Sequence, residues 1–170
     1  LLATHEKNIC YVTSSDKDPV LKLEDSRIQT FCIGLGIART LLFMFLRADV
    51  MVMTMPDLES FHIKRSTHSV HYVYLYHSMV SSHMVYRRGA FDHFDSILCV
   101  GPHHQQEIRA TELLYGLKPK VLVEAGYAHL DSILLSQKTL SGSTSQTEGS
   151  GNRVLIAPSW GEDGLIESHG

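Results

Sequence analysis

The sequence predicts an α/β chain built on an open parallel sheet with helices on both faces. Three observations carry this. Short apolar runs alternate with helical patterns along most of the chain, in a β-α-β order. Some runs, VMVMTM at 50–55 above all, are continuous rather than alternating, as suits strands buried on both sides of a parallel sheet. Pro56, Gly101-Pro102 and Gly126 then stop such runs.

The elements follow in order. NICYVTS (Asn8–Ser14) and RIQTFCI (Arg27–Ile33) read as strands. Gly36–Arg47 reads as a helix, with Leu41, Leu42, Phe45 and Leu46 near helical spacing. Val50–Met55 is the next strand, and Val70–Tyr76, rich in β-branched and aromatic residues, the one after. A polar stretch with Ser81, Ser82, Arg87 and Arg88 leads to the strand Ser96–Val100. His103–Tyr115 reads as a helix that Gly116 closes. Val121–Glu124 is a strand, and Leu130–Leu135 begins a short helix. Gln137–Asn152 is rich in Ser, Thr and Gly and reads as a linker or flexible loop. Arg153–Ala157 resumes the strand pattern, and Pro158-Ser159-Trp160-Gly161 turns the chain. The expected organisation is therefore a domain over 1–136, a linker over 137–152, and the start of a second domain over 153–170.

Composition narrows the function. With 170 residues, 44% apolar and 19% charged, the chain has the make-up of a globular domain. A formal charge of −3 gives no broad basic surface and disfavours generic nucleic-acid binding. Three widely spaced cysteines, Cys10, Cys32 and Cys99, form no CxxC and read as packed thiols of a reducing compartment. Eleven histidines are the unusual count; protonating them would reverse the sign of the net charge. The most apolar window, Ile33–Leu46, contains Arg39 and is shorter than the ~20 residues a spanning helix needs. It reads as a helix buried in the domain.

In open α/β sheets, ligands sit beyond the carboxyl ends of the strands. His77 lies just past one, where a neutral imidazole can accept a proton from a hydroxyl nucleophile, or can simply be satisfied in a turn. Ser78, Ser81 and Ser82 follow it and could hydrogen-bond a phosphate or sugar. Gly101-Pro102-His103-His104 opens a helix whose N-terminus attracts anions. The adjacent histidines point in different directions, and no HExxH supplies a zinc set, so no metal site is expected. Gly126-Tyr127 with Asp131 could shape a ligand loop or merely turn the chain. Gly34-Leu35-Gly36 lacks the third glycine of a dinucleotide fingerprint, and no cofactor is expected.

Four blocks give the chain a family resemblance: YLYHSMVSSH (Tyr74–His83), AFDHFDSILCVGPHHQQEI (Ala90–Ile108), EAGYAHLDSIL (Glu124–Leu134) and VLIAPSWGEDG (Val154–Gly164). In order and spacing they resemble the CDP-glycerol glycerophosphotransferases of teichoic-acid-type polymer synthesis, over about Tyr72 to Gly170. The resemblance implies the N-terminal, acceptor-side half of a GT-B fold. That half is a Rossmann-like domain, here followed by the first strand and turn of a truncated C-terminal domain. It implies transfer of glycerol phosphate from CDP-glycerol, or another nucleotide-linked donor, to a hydroxyl of a membrane-linked polymer or glycan. Placement would be cytoplasmic, with peripheral contact at the inner face of the cell membrane as a further option. The family's turn histidine, thought to act as base, maps onto His77. Gly126, Tyr127 and Asp131 carry over from the third block, whereas Ser78 stands where the family has Gly and Ala128-His129 where it has Pro-Arg. Ser159 and Trp160, at the mouth of the second domain, would join Ser78, Ser81, Ser82 and His103 as substrate contacts. In this reading the parent protein is an enzyme, and the 170-residue chain, lacking a donor domain, is expected to be inactive alone. Two other readings stay open: another GT-B sugar-nucleotide enzyme (a glycosyltransferase or epimerase), and a non-catalytic binding remnant.

Overall fold

The computed structural model describes residues 9–60 and 63–141, with side chains to 137. The chain divides into two units, Leu1–Ala128 and His129–Gly170. The first holds every described strand, and its architecture is α/β. Strands β3 (Val50–Met53), β4 (His71–Leu75), β5 (Ser96–Cys99) and β6 (Val121–Glu124) pair in that order, all parallel, in a four-stranded Rossmann-like sheet flanked by helices. Two further strands, β1 (Ile9–Thr13) and β2 (Ile28–Cys32), form a separate parallel pair joined through a 3₁₀ turn at Pro19–Lys22. Asp18 caps that turn by accepting the Val20 N–H at 3.0 Å. The sequence reading lacks this turn, because a four-residue element has no periodicity to display.

Four helices complete the described elements: α1 (Ile37–Phe45), α2 (Ser82–Val85), α3 (Pro102–Tyr115) and α4 (Ala128–Ser141). The sequence places α1 and α3 to within a few residues. It omits α2, a single turn that Ser81 starts with its side chain on the Met84 N–H. It also places a linker from Gln137, whereas α4 continues to Ser141. Gln, Lys and Leu favour helix in that stretch, and the Gly-rich part begins only afterwards. The strand expected at 153–157 and the second domain it would open lie outside the described residues.

The core forms on one face of the four-stranded sheet. Met53, Tyr72, Tyr74, Ile97 and Cys99 share that face by register, and all are buried. Tyr74, Tyr76, Tyr86, Phe91 and Phe94 pack beside them as an aromatic cluster, edge-on or tilted, with ring centroids 4.8 to 6.5 Å apart. Burial pushes the Cys99 thiol up to about 11, which leaves it protonated and inert.

The opposite face corrects the reading of 50–55 as a strand buried on both sides. Val50 and Val52 are half exposed, while Met53 on the alternate side is buried. Among the described strands β3 and β6 are the two edges of the sheet, and Val121 and Val123 of β6 are likewise exposed. Helix α1 is corrected in the same way. Only Phe43 is buried, whereas Ile37, Leu41 and Phe45 stay open to solvent. Of the cysteines, Cys99 alone is buried; Cys10 and Cys32 lie exposed on the two-stranded pair, which has too little surface to enclose them. No described helix is long and apolar enough to cross a membrane.

Candidate functional site

The carboxyl ends of β4, β5 and β6 lie side by side, because the strands are parallel and adjacent. Leu75 registers with Leu98 and Cys99 with Glu124. Three loops therefore leave one edge: His77-Ser78 after β4, Gly101 after β5, and Gly126-Tyr127 after β6. Neighbouring strands are about 4.8 Å apart, so the outer two loops begin roughly 10 Å from one another. Tyr127 spans that gap. Its hydroxyl donates to the His77 carbonyl at 3.1 Å, across fifty residues of sequence. Gly126 permits this by adopting φ +72°, a left-handed backbone that carries the chain out of β6.

His77 itself is exposed, and its imidazole makes no hydrogen bond among the described residues. Ser78 beside it is half-buried. The ring is thus presented to solvent on a loop whose backbone is tied from the far side of β5.

Helix α3 begins at the same edge. Gly101 is its N-cap in an extended conformation with no capping side chain, and Pro102 occupies the first helical position. His103 is exposed, its ring 4.1 Å from that of His104. The two neighbours have opposite fates. His104 is fully buried and stacks on Tyr76 at 3.8 Å. Its Nε2 donates to the Val80 carbonyl at 2.8 Å, and its Nδ1 accepts the Val100 N–H at 3.3 Å. These partners require the neutral ring with the proton on Nε2. Burial accordingly lowers the His104 pKa against the raising effect of the Val80 carbonyl. His104 clamps the β4 loop to the end of β5. The sequence offers His103 as the residue of interest and gives no signal for His104 beyond the adjacency.

The serines divide similarly. Ser81 bonds His83 Nδ1 at 2.9 Å in addition to capping α2. Ser82 is buried, and both its N–H and its hydroxyl donate to Glu107 of α3 at 2.5 Å. Partial burial works to raise the Glu107 carboxyl, but the hydrogen bonds from Ser82 and its neighbours outweigh it and hold the group at about 2. Ser82 therefore faces the interior rather than the edge where His77 stands. Asp131 lies in the first turn of α4, within the second unit. Ser159 and Trp160 fall outside the described residues.

One further tie holds the edge. Asp57, which follows β3 with φ +68°, pairs with Arg87 Nε at 2.6 Å and donates its N–H to the Ala90 carbonyl at 2.8 Å. The arrangement at the edge can do two things chemically. An exposed imidazole can take a proton, and a helix N-terminus can stabilise an anion. Among the described residues no three His, Cys, Asp or Glu side chains converge as a metal set. No protein-family model, curated protein or solved structure matches the chain.

Proposed function

We propose that the chain is the acceptor-side part of a transferase that moves glycerol phosphate from CDP-glycerol to a hydroxyl of a membrane-linked polymer or glycan. The observation that carries the reading is the exposed His77 imidazole at the carboxyl edge of a parallel sheet, on a loop tied by Tyr127. In this mechanism His77 takes the proton of the acceptor hydroxyl. The resulting oxygen forms a bond to the β-phosphorus of CDP-glycerol, and the bond to the bridging oxygen breaks, releasing CMP. The first turn of α3, with His103, lies at the same edge and would offset phosphate charge. The site works in the cytoplasm, with the polymer acceptor bringing it to the inner face of the membrane.

The test offers labelled CDP-glycerol and a glycerol-phosphate-primed lipid to the protein expressed from its full reading frame. Label incorporation with CMP release is the expected result. His77→Ala lowers turnover by at least about a hundredfold, the lower end for loss of a general base. Turnover of a UDP-sugar instead would move the chain to the sugar-nucleotide enzymes of the same architecture. Near-normal turnover in His77→Ala would remove the residue from the role of base.

A further inference from the structure

A second concavity lies away from the strand ends. It is a groove of about 610 Å³ between one flank of α3 and the segment 82–92. Eight residues of α3 between 106 and 115 form one wall, some 14 Å long at about 1.5 Å per residue. The volume is that of a small-molecule site. Much of the lining is apolar, and Leu114 is 72% exposed within it. A ligand's apolar body lying along this wall would cover Leu114.

The charges of the groove select the ligand. Glu107 accepts from Ser82 and lies 3.4 Å from His83 Nδ1. Glu112 accepts the Lys120 N–H and Arg109, and Lys120 Nζ lies 3.9 Å from it. Arg87 is held by Asp57 and Ser60. Arg88 differs. Its guanidinium carbon lies over the Tyr115 ring, 3.9 Å from the centroid, and the group has no acceptor among the described residues. A guanidinium held by a cation–π contact and lacking an acceptor keeps its N–H groups for an anion. Asp92 is the opposing group. It is exposed, has no cation partner among the described residues, and folds over Gly89.

We propose that this groove binds an anionic amphiphile, its carboxylate on Arg88 and its apolar body along Leu114 and Ala110. Asp92 weakens that binding by repulsion. The inference is independent of the transferase reading, since it uses none of the residues at the strand ends.

The probe is decanoate, titrated into the ¹⁵N-labelled chain and followed by amide shifts, with decyltrimethylammonium as the charge control. Saturable shifts are expected in 82–92 and 106–117 with decanoate and not with the cation. Arg88→Glu should raise the dissociation constant at least tenfold, and Asp92→Asn should lower it. Leu114→Trp, which fills the groove and leaves its charges intact, should abolish the shifts. Each variant's own spectrum reports whether it is folded, and Leu114→Trp and Asp92→Asn test the site independently of Arg88. Equal shifts with the cation, or shifts confined to Val50, Val52, Val121 and Val123 on the open sheet face, would overturn the proposal. Weaker binding in Asp92→Asn would overturn the anionic class in favour of a zwitterion.

Discussion

His77 and His104 belong to neighbouring loops at the same edge of the sheet, yet their surroundings are opposite. His104 is fully buried against Tyr76, with each ring nitrogen matched to a backbone group. His77 is exposed and, among the described residues, is tied through its backbone carbonyl to Tyr127. The difference separates a ring fixed in the scaffold from one open to solvent. A buried imidazole with both nitrogens occupied cannot exchange a proton without breaking a bond, whereas an exposed one can. The scaffold histidine fixes the loop that carries the other, because its Nε2 partner, Val80, is three residues beyond His77.

Removing each ring in turn should give the largest difference. His104→Leu leaves the Val100 N–H without its acceptor and loses the stack on Tyr76, and should cost about 3 kcal/mol in urea unfolding. His77→Leu should stay within about 0.5 kcal/mol, the range of ordinary surface changes. Equal costs would erase the distinction.

Acid sharpens it next. The His104 pKa is lowered in the folded chain, so the unfolded chain binds the proton more readily. Its contribution is full above the unfolded value, about 6.5, and is lost as pH falls through the folded one, with a slope of at most ~1.4 kcal/mol per pH unit. Glu107, held at about 2, contributes above its usual carboxylate range and loses that contribution as pH falls from there toward 2. Urea midpoints measured from pH 7 to pH 3 should decline in two stages, and His104→Leu should flatten the first while leaving the second.

The smallest effect belongs to the tie between the loops. Tyr127→Phe removes the hydroxyl on the His77 carbonyl and should cost about 0.5 to 1 kcal/mol. Amide exchange around residues 77–80 should quicken, with the rest of the sheet unchanged.

Much of this fold is legible in the sequence, and the places where it is not have physical reasons. The strands and the two longer helices of the first unit announce themselves through apolar runs and periodicity, and α3 through Gly101-Pro102 and Gly116. Strand burial is not legible in the same way. VMVMTM reads as a central strand, but edge position is a property of the whole sheet, and β3 is an edge. At the site, the loops after β4, β5 and β6 follow from their position beyond apolar runs. The inward turn of Ser82 does not, since it depends on Glu107, twenty-five residues away. His104 is hidden for the same reason, because its partners Val80 and Val100 contribute only backbone, which leaves no mark in a sequence. Arg87 and Arg88 look alike in the sequence, and they part only in the fold, where Arg87 is tied to Asp57 and Ser60 and Arg88 sits over Tyr115.

The proposed transferase requires a phosphate-bearing ligand to bind where the strands end and His77 is presented. Titrating the ¹⁵N-labelled chain with sn-glycerol 3-phosphate tests it most directly. Saturable shifts are expected at the amides of His77, Ser78, Gly101, His103, Gly126 and Tyr127, with the groove along α3 unaffected. Shifts absent from that edge, or gathered along the groove instead, would contradict it.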